Sequence, residues 1–262
     1  PVVTVENAQG WEDTPVDLNI GPALADVDGS ESITGIVISG VPTGATLSAG
    51  TDNGNGSWTL TPAQLDGLQL FPAANSDQDF PLSVAATSTE ADGSQATTVA
   101  TLDVAINGVA DTPTVTVQNA TGAEDSAIPL NIGVALADTD GSESISAITI
   151  SGVPTGATLS AGTDNGNGTW TLTPAQLQGL SITPPANSDA DFTLTVAATS
   201  SEGGTSATTT QTLSVTVNAV ADAPTVTVAP ATGGEDSPIA LGIDVALTDS
   251  FSHWTGYLVR LT

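Results

Sequence analysis

The chain has no Lys, no Cys and no Met, and its 262 residues hold one Arg (Arg260) and one His (His253), both in the final twelve positions. A nucleic-acid surface needs clustered cations to neutralise phosphates, so that class of partner is excluded. The absence of Cys removes disulfide frameworks and thiolate metal sites. Residues 1–250 offer no His, Cys or Lys as base or nucleophile, so the chain is expected not to be an enzyme. Paired carboxylates alone could hydrolyse glycosides, but only across a cleft. No apolar run approaches membrane-spanning length, and no signal peptide is evident.

What the chain does have is acid: 29 Asp and Glu give a net charge of −28. Acidic chains poor in aromatics are often disordered. Here hydrophobic content of 39% and alternating runs such as Thr114-Val115-Thr116-Val117 and Phe192-Thr193-Leu194-Thr195-Val196 indicate packed strands instead. With no Lys and a single Arg, the chain cannot pair these 29 carboxylates internally. Metal cations are the natural counter-charge.

The sequence repeats. Asn107-Gly108-Val109-Ala110-Asp111-Thr112-Pro113 returns as Asn218-Ala219-Val220-Ala221-Asp222-Ala223-Pro224, and Glu12 and Trp58 recur as Glu124 and Trp170, 112 positions on. Two complete repeats are expected at 1–112 and 113–223, followed by the opening of a third at 224–250 and a divergent tail at 251–262. Residue 1 falls at a seam, so the chain reads as an excerpt from a longer array. The tail breaks the pattern and reads as carrying no function.

Within the second copy, strands are expected near 114–118, 128–137, 145–151, 157–161, 192–199 and 208–217, with a polar break at 120–125. Asp164-Asn165-Gly166-Asn167-Gly168 reads as a hairpin. Thr173-Pro174-Ala175-Gln176-Leu177-Gln178-Gly179 reads as a helical turn, with Thr as N-cap and Pro at its first position. Many short strands with frequent turns point to an all-β chain of tandem Ig-like or cadherin-like β-sandwich domains arranged end to end.

Strand direction sorts the acids to the two poles of each sandwich. Counting from the first strand places Glu124 and Asp125 at the lower pole and Asp138, Asp140 and Glu143 at the upper. Counting back from the last strand places Asp189 and Asp191 low and Glu202 high. Across the first seam the gathered set is Glu12, Asp13, Asp77, Asp79, Asp111, Asp138, Asp140 and Glu202. The equivalents are Asp26, Asp28 and Glu90 in the first repeat, and Glu124, Asp125, Asp189, Asp191 and Asp222 towards the second seam. Like charges a few ångströms apart repel strongly. Ca²⁺, with six to eight oxygen ligands in flexible geometry, suits carboxylates gathered from several loops better than Mg²⁺ does. The expected role of the ion is to stiffen the joint.

The order Glu124, Asp138-Thr139-Asp140, Asp189-Ala190-Asp191 and Ala221-Asp222-Ala223-Pro224 resembles the calcium-site order of cadherin-type repeats. The phrase Gly-Val-Pro-Thr-Gly-Ala-Thr-Leu-Ser-Ala-Gly-Thr-Asp-Asn-Gly-Asn-Gly, at 40–56 and 152–168, resembles extender repeats of giant RTX-type bacterial adhesins. The resemblance covers residues 1–250. It implies export by type I secretion, folding on calcium outside the cell, and a structural role at the bacterial surface that projects a distal binding domain. The implied partners are neighbouring repeats, with a cell-surface or polysaccharide target reached through other domains. Cadherin seams resemble Asp-x-Asn-Asp-x-Pro, whereas Ala110-Asp111-Thr112-Pro113 carries one carboxylate, so one or two ions per seam are expected.

Other readings of the same residues are blander. Asp138-x-Asp140-Gly141 lacks the spacing and helices of an EF-hand. Asp52 and Asp164, beside Asn-Gly, read as turn chemistry. Trp58 and Trp170 read as core, and Trp11 aligns with Ala123. All ten acids of 113–223 have acidic partners in 1–112, whereas Glu6, Asp17, Asp66, Asp92 and Asp103 have none and read as solvated surface. The alternative function is that the repeats themselves bind a ligand such as polysaccharide or ice, which a flat exposed Thr array would favour.

Overall fold

Period-two alternation is realised as strands with one face inward: in Phe80–Thr89, Leu82, Val84, Ala86 and Ser88 are buried while the residues between them are not. The computed structural model describes residues 1–26 and 28–247. The expected tail at 251–262 and the last three residues of the partial third repeat lie outside the described residues.

The first repeat contains β1 (Val2–Val5), β2 (Ala8–Trp11), β3 (Val16–Asp17), β4 (Ile20–Ala23), β5 (Ser32–Ser39), β6 (Thr46–Leu47), β7 (Thr51–Gly54), β8 (Ser57–Leu60), β9 (Gln69–Phe71), β10 (Phe80–Thr89) and β11 (Gln95–Asn107). The second contains β12 (Thr114–Val117), β13 (Ala120–Ala123), β14 (Ile128–Pro129), β15 (Ile132–Ala135), β16 (Ser144–Ser151), β17 (Thr158–Leu159), β18 (Thr163–Gly166), β19 (Thr169–Leu172), β20 (Ser181–Thr183), β21 (Phe192–Glu202) and β22 (Thr205–Asn218). Each forms a six-stranded sheet, ordered β2-β11-β10-β5-β8-β7 in the first and β13-β22-β21-β16-β19-β18 in the second. A three-stranded sheet and a two-stranded sheet complete each repeat. Ile36, Ile38, Leu82, Val84 and Leu102 of the large sheet share one buried core with Val16, Leu47 and Leu70 of the three-stranded sheet. Ile148, Ile150, Leu194 and Val196 do the same with Ile128, Leu159 and Ile182. The chain is therefore all-β, built of β-sandwiches.

Compactness divides the chain into two units. One comprises Pro1–Asp111 with Leu136–Ser144 and Ser200–Ala207; the other comprises Thr112–Ala135, Ile145–Thr199 and, of the described residues beyond, 208–247. β23 (Thr225–Ala229) and β24 (Gly242–Ala246) pair antiparallel, with Val228, Leu241 and Ile243 exposed.

Several expectations are corrected. The break expected at 120–125 holds β13, which runs parallel to β22 from Ala120↔Val215 to Ala123↔Asn218. Its low apolar content concealed it, because one edge of ladder hydrogen bonds is enough to form a short strand. The strand expected over 128–137 is two pieces, β14 and β15, which join different sheets. The turn at Pro174–Leu177 is 3-10, closed by a capping box between Thr173 and Gln176. Asp52 and Asp164 each accept the backbone N–H two residues on, at 2.8 Å. Trp58 and Trp170 pack, half-buried, against the cores, while Trp11 is exposed.

The hairpin turn at Asn55-Gly56 has positive φ at both residues (56° and 69°). A Cβ on Gly56 would collide with the Val41 carbonyl. Gly56→Ala is therefore expected to destabilise the chain by about 1–3 kcal/mol, read as a lower midpoint in urea unfolding with unchanged slope.

Candidate metal centre

Glu12 and Asp13 follow β2 directly. The Glu12 amide donates to Asn107 O at 3.0 Å, extending the β2–β11 ladder by one bond and turning the side chain inward. Glu12 is 2% exposed. Its Oε1 accepts the Val109 N–H at 2.5 Å, and its buried Oε2 has no hydrogen-bond partner. Asp13 takes φ 55°, a left-handed position that Asp tolerates. Its Oδ1 accepts the Asn75 N–H at 3.0 Å, and Asn75 Nδ2 donates to Asp111 Oδ2 at 2.9 Å.

The loop Leu136–Ser144, in the same compact unit, is shaped by its own acids. Asp138 Oδ1 accepts the Asp140 N–H at 2.9 Å, and Asp140 Oδ1 accepts both the N–H and the hydroxyl of Ser142. Glu143 then turns inward, and its Oε1 accepts the Asp111 N–H at 2.7 Å. At the end of β21, Glu202 is buried against Gly108, where a Cβ would collide with its carboxylate. The second seam has Ala219 in that place.

Two groups of carboxylate oxygens result, each with members within 4.8 Å of one another: Glu12, Asp138 and Glu202, all buried, and Asp77, Asp140 and Glu202. Glu202 belongs to both. Among the described residues, five buried carboxylate oxygens have no hydrogen-bond partner: Glu12 Oε2, Glu124 Oε2, Glu143 Oε2 and both oxygens of Glu202. Burial of an unpaired anion is costly. The Glu12 pKa is accordingly pushed up to about 7 by burial, with Glu202, Asp138 and Asp13 adding repulsion against the lowering effect of the Val109 N–H. Burial also raises Asp111 and Glu202, each helped by neighbouring carboxylates. The Ser142 hydroxyl and amide hold Asp140 low.

Of the residues singled out in the sequence, Glu12, Asp77, Asp138, Asp140 and Glu202 make up the two groups, and Asp13 and Asp111 border them. Asp79 stands apart, with Oδ1 accepting the Ile106 N–H at 2.8 Å. Asp26 and Asp28 shape their own turn, and Ser30 Oγ donates to Asp28 and to Glu90. In the second unit, buried Glu124 accepts the Val220 N–H at 2.6 Å, Asp125 accepts that of Asn187, and Asp191 that of Val217. Among the described residues, Glu124, Asp125, Asp189, Asp191 and Asp222 form no such close group. Glu143 was absent from the candidate set, although its place closing the acidic loop 138–143 marks it.

The donor set is all oxygen, dominated by carboxylates, with no basic side chain among residues 1–247. That fits a hard divalent cation of the Ca²⁺ type, which would supply the missing partner for the buried oxygens. Glu12, Asp138 and Glu202 would hold one ion; Asp77 and Asp140 with Glu202 would hold a second.

No family model matches the chain, and no curated protein matches it. Among solved structures it is similar to protocadherin gamma B2 extracellular cadherin domains 1–5 (13% identity, TM-score 0.40, covering 84% of this chain and 40% of that one). It is also similar to mouse cadherin-23 EC22–24 (16%, 0.38, 84% and 65%) and to titin domains z1z2 in complex with telethonin (12%, 0.31, 83% and 97%). This chain thus spans less than two thirds of either cadherin structure. These likenesses are low in identity and in TM-score, and the site is read from its own carboxylates.

In metal-free buffer the Glu12 shift sets a pH dependence. Its folded pKa, about 7, lies above the ordinary 4.5, so the folded state holds the proton more tightly. Stability is present below about pH 4.5 and is lost as pH rises towards 7. Glu12→Gln is expected to flatten that part of the stability–pH profile, measured by urea unfolding in EDTA.

Proposed function

We propose that the chain is a structural extender segment of a large bacterial surface adhesin: tandem β-sandwich repeats at 1–112 and 113–223, with a third beginning at 224–250, rigidified by Ca²⁺ and projecting a distal binding domain. The observation that carries this reading is the set of buried carboxylate oxygens without hydrogen-bond partners on Glu12, Glu143 and Glu202, with no basic side chain among residues 1–247 to pair them. Loops 136–144 and 200–207, which belong to the second repeat by sequence, share a compact unit with Glu12, Asp77 and Asp111. An ion there therefore links segments from both sides of the first seam in sequence. The equivalents Asp26, Asp28 and Glu90, and Glu124, Asp125, Asp189, Asp191 and Asp222, would serve further seams of the array. The location that follows is extracellular, on a bacterial surface, reached by type I secretion. Without calcium, carboxylate repulsion disfavours folding, which suits export.

A ligand bound to a folded state stabilises it by RT ln(1 + [L]/Kd), about 4 kcal/mol at a thousandfold excess over Kd. Thermal unfolding is thus expected to shift upward on the order of 10 °C between EDTA and millimolar CaCl₂, with a smaller shift in MgCl₂. Glu202→Gln, which touches both groups, is expected to remove most of it. Equal melting temperatures in EDTA and CaCl₂ would overturn the reading.

A second reading, repeats that bind polysaccharide or ice directly, is supported by the outward face of the six-stranded sheet. Ser83, Ala85 and Thr87 face Thr101, Val99 and Thr97 on one side and Ser39, Val37 and Gly35 on the other, with no charge among them. Thr87 and Thr97 join their hydroxyls at 2.8 Å, as do Thr199 and Thr208.

A further inference from the structure

Five acids of the first repeat have no counterpart in the second. Three of them, Glu6, Asp17 and Asp66, line one groove of about 1000 Å³ in the first unit. The second repeat has Gln118, Pro129 and Gln178 at these positions. Duplication accounts for acids that both repeats share; it does not account for three separate positions, each neutral in one copy, converging on one concavity in the other.

The groove is built by local structure. Glu6 directly follows β1, the strand that pairs with β4, its N–H donating to Asn19 O and its Oε2 accepting from Asn19 Nδ2, both at 3.2 Å. Asp17 lies on β3, where Gln69 Nε2 donates to its Oδ1 at 2.9 Å. Asp66 follows the 3-10 turn Pro62–Leu65. All three carboxylates are exposed, above a floor that includes half-buried Val5, Ile20 and Pro22. Each of Glu6 and Asp17 uses one oxygen on a neutral amide donor, so neither is neutralised.

We propose that this groove docks a cationic, amphipathic peptide segment of another molecule, with apolar side chains on the floor and Lys or Arg at the carboxylate rim. The three rim acids are not among the carboxylates whose oxygens approach within 4.8 Å of one another, so they are too dispersed to share a single metal ion and suit charges spaced along a chain. Long basic side chains lay their stems on apolar surface while the head reaches a charge. The chain carries no Lys and one Arg, so another copy could not supply this ligand. The groove shares no residue with the Glu12 centre, and the proposal stands independently of calcium binding.

The test is fluorescence anisotropy of a labelled, N-acetylated octapeptide alternating Lys and Leu, titrated with the intact chain in millimolar CaCl₂. Binding is expected to weaken at least tenfold in E6Q/D17N/D66Q and to weaken with added salt, as an exposed charge interaction does. The control D52N/D92N/D103N removes the same net charge elsewhere and is expected to leave affinity within twofold. An octapeptide with Ser in place of Lys is expected not to bind. No binding by the parent chain overturns the proposal. So does an equal loss in both triple variants, which would show diffuse attraction to a polyanion. Both variants change only exposed side chains, and matched melting curves establish that each is folded.

Discussion

Burying carboxylates with no basic side chain among residues 1–247 to pair them is the constraint on which the rest of this structure depends. Most acidic proteins leave their charge in water, where repulsion is screened over about 10 Å. Here Glu12, Glu124, Asp138, Glu143 and Glu202 are all buried. The chain can fold around such groups in three ways: protonate them, hydrogen-bond them, or supply a cation. Backbone N–H donors satisfy one oxygen each of Glu12, Glu124 and Glu143. The remaining oxygens leave protonation or a cation, and the raised Glu12 pKa is the mark of that choice.

The sandwich makes this gathering feasible because strands that alternate in direction deliver their end loops to the poles. A carboxylate in a loop can then be held by the loop's own turns, as Asp138 and Asp140 are by successive N–H donors, without distorting the sheet that carries it. The cores, meanwhile, are closed by apolar side chains alone, chiefly Ile, Leu, Val and Ala. Hydrophobic burial and the clustered carboxylates are thus kept in separate layers.

Repetition also separates what the fold requires from what one copy has acquired. Acids present in both repeats, such as Glu12 and Glu124 or Asp79 and Asp191, recur with the same backbone partner: the seam Val amide for the first pair, and the end of the last long strand for the second. Glu6, Asp17 and Asp66 have no such recurrence and line a groove instead. The same charge therefore has two physical meanings in one chain, set by whether its position is tied to the backbone at a pole.

The repeat period, the all-β class, the turns at Asp164 and Thr173 and the polar ends that collect acids were legible from the sequence, because alternation, Asn-Gly pairs and capping residues act over a few neighbours. The short strand Ala120–Ala123 was not, since its pairing with Ala120↔Val215 register depends on a partner 95 residues away. Nor was the inward turn of Glu143, whose acceptor role is decided by where the Asp111 amide lies. Glu202 could be assigned to a pole, but only the tertiary structure placed it in both carboxylate groups, because that position depends on the close approach that Gly108 permits. Local chemistry determined which residues carry charge and which loops hold them; the packing of distant segments decided which oxygens are buried together.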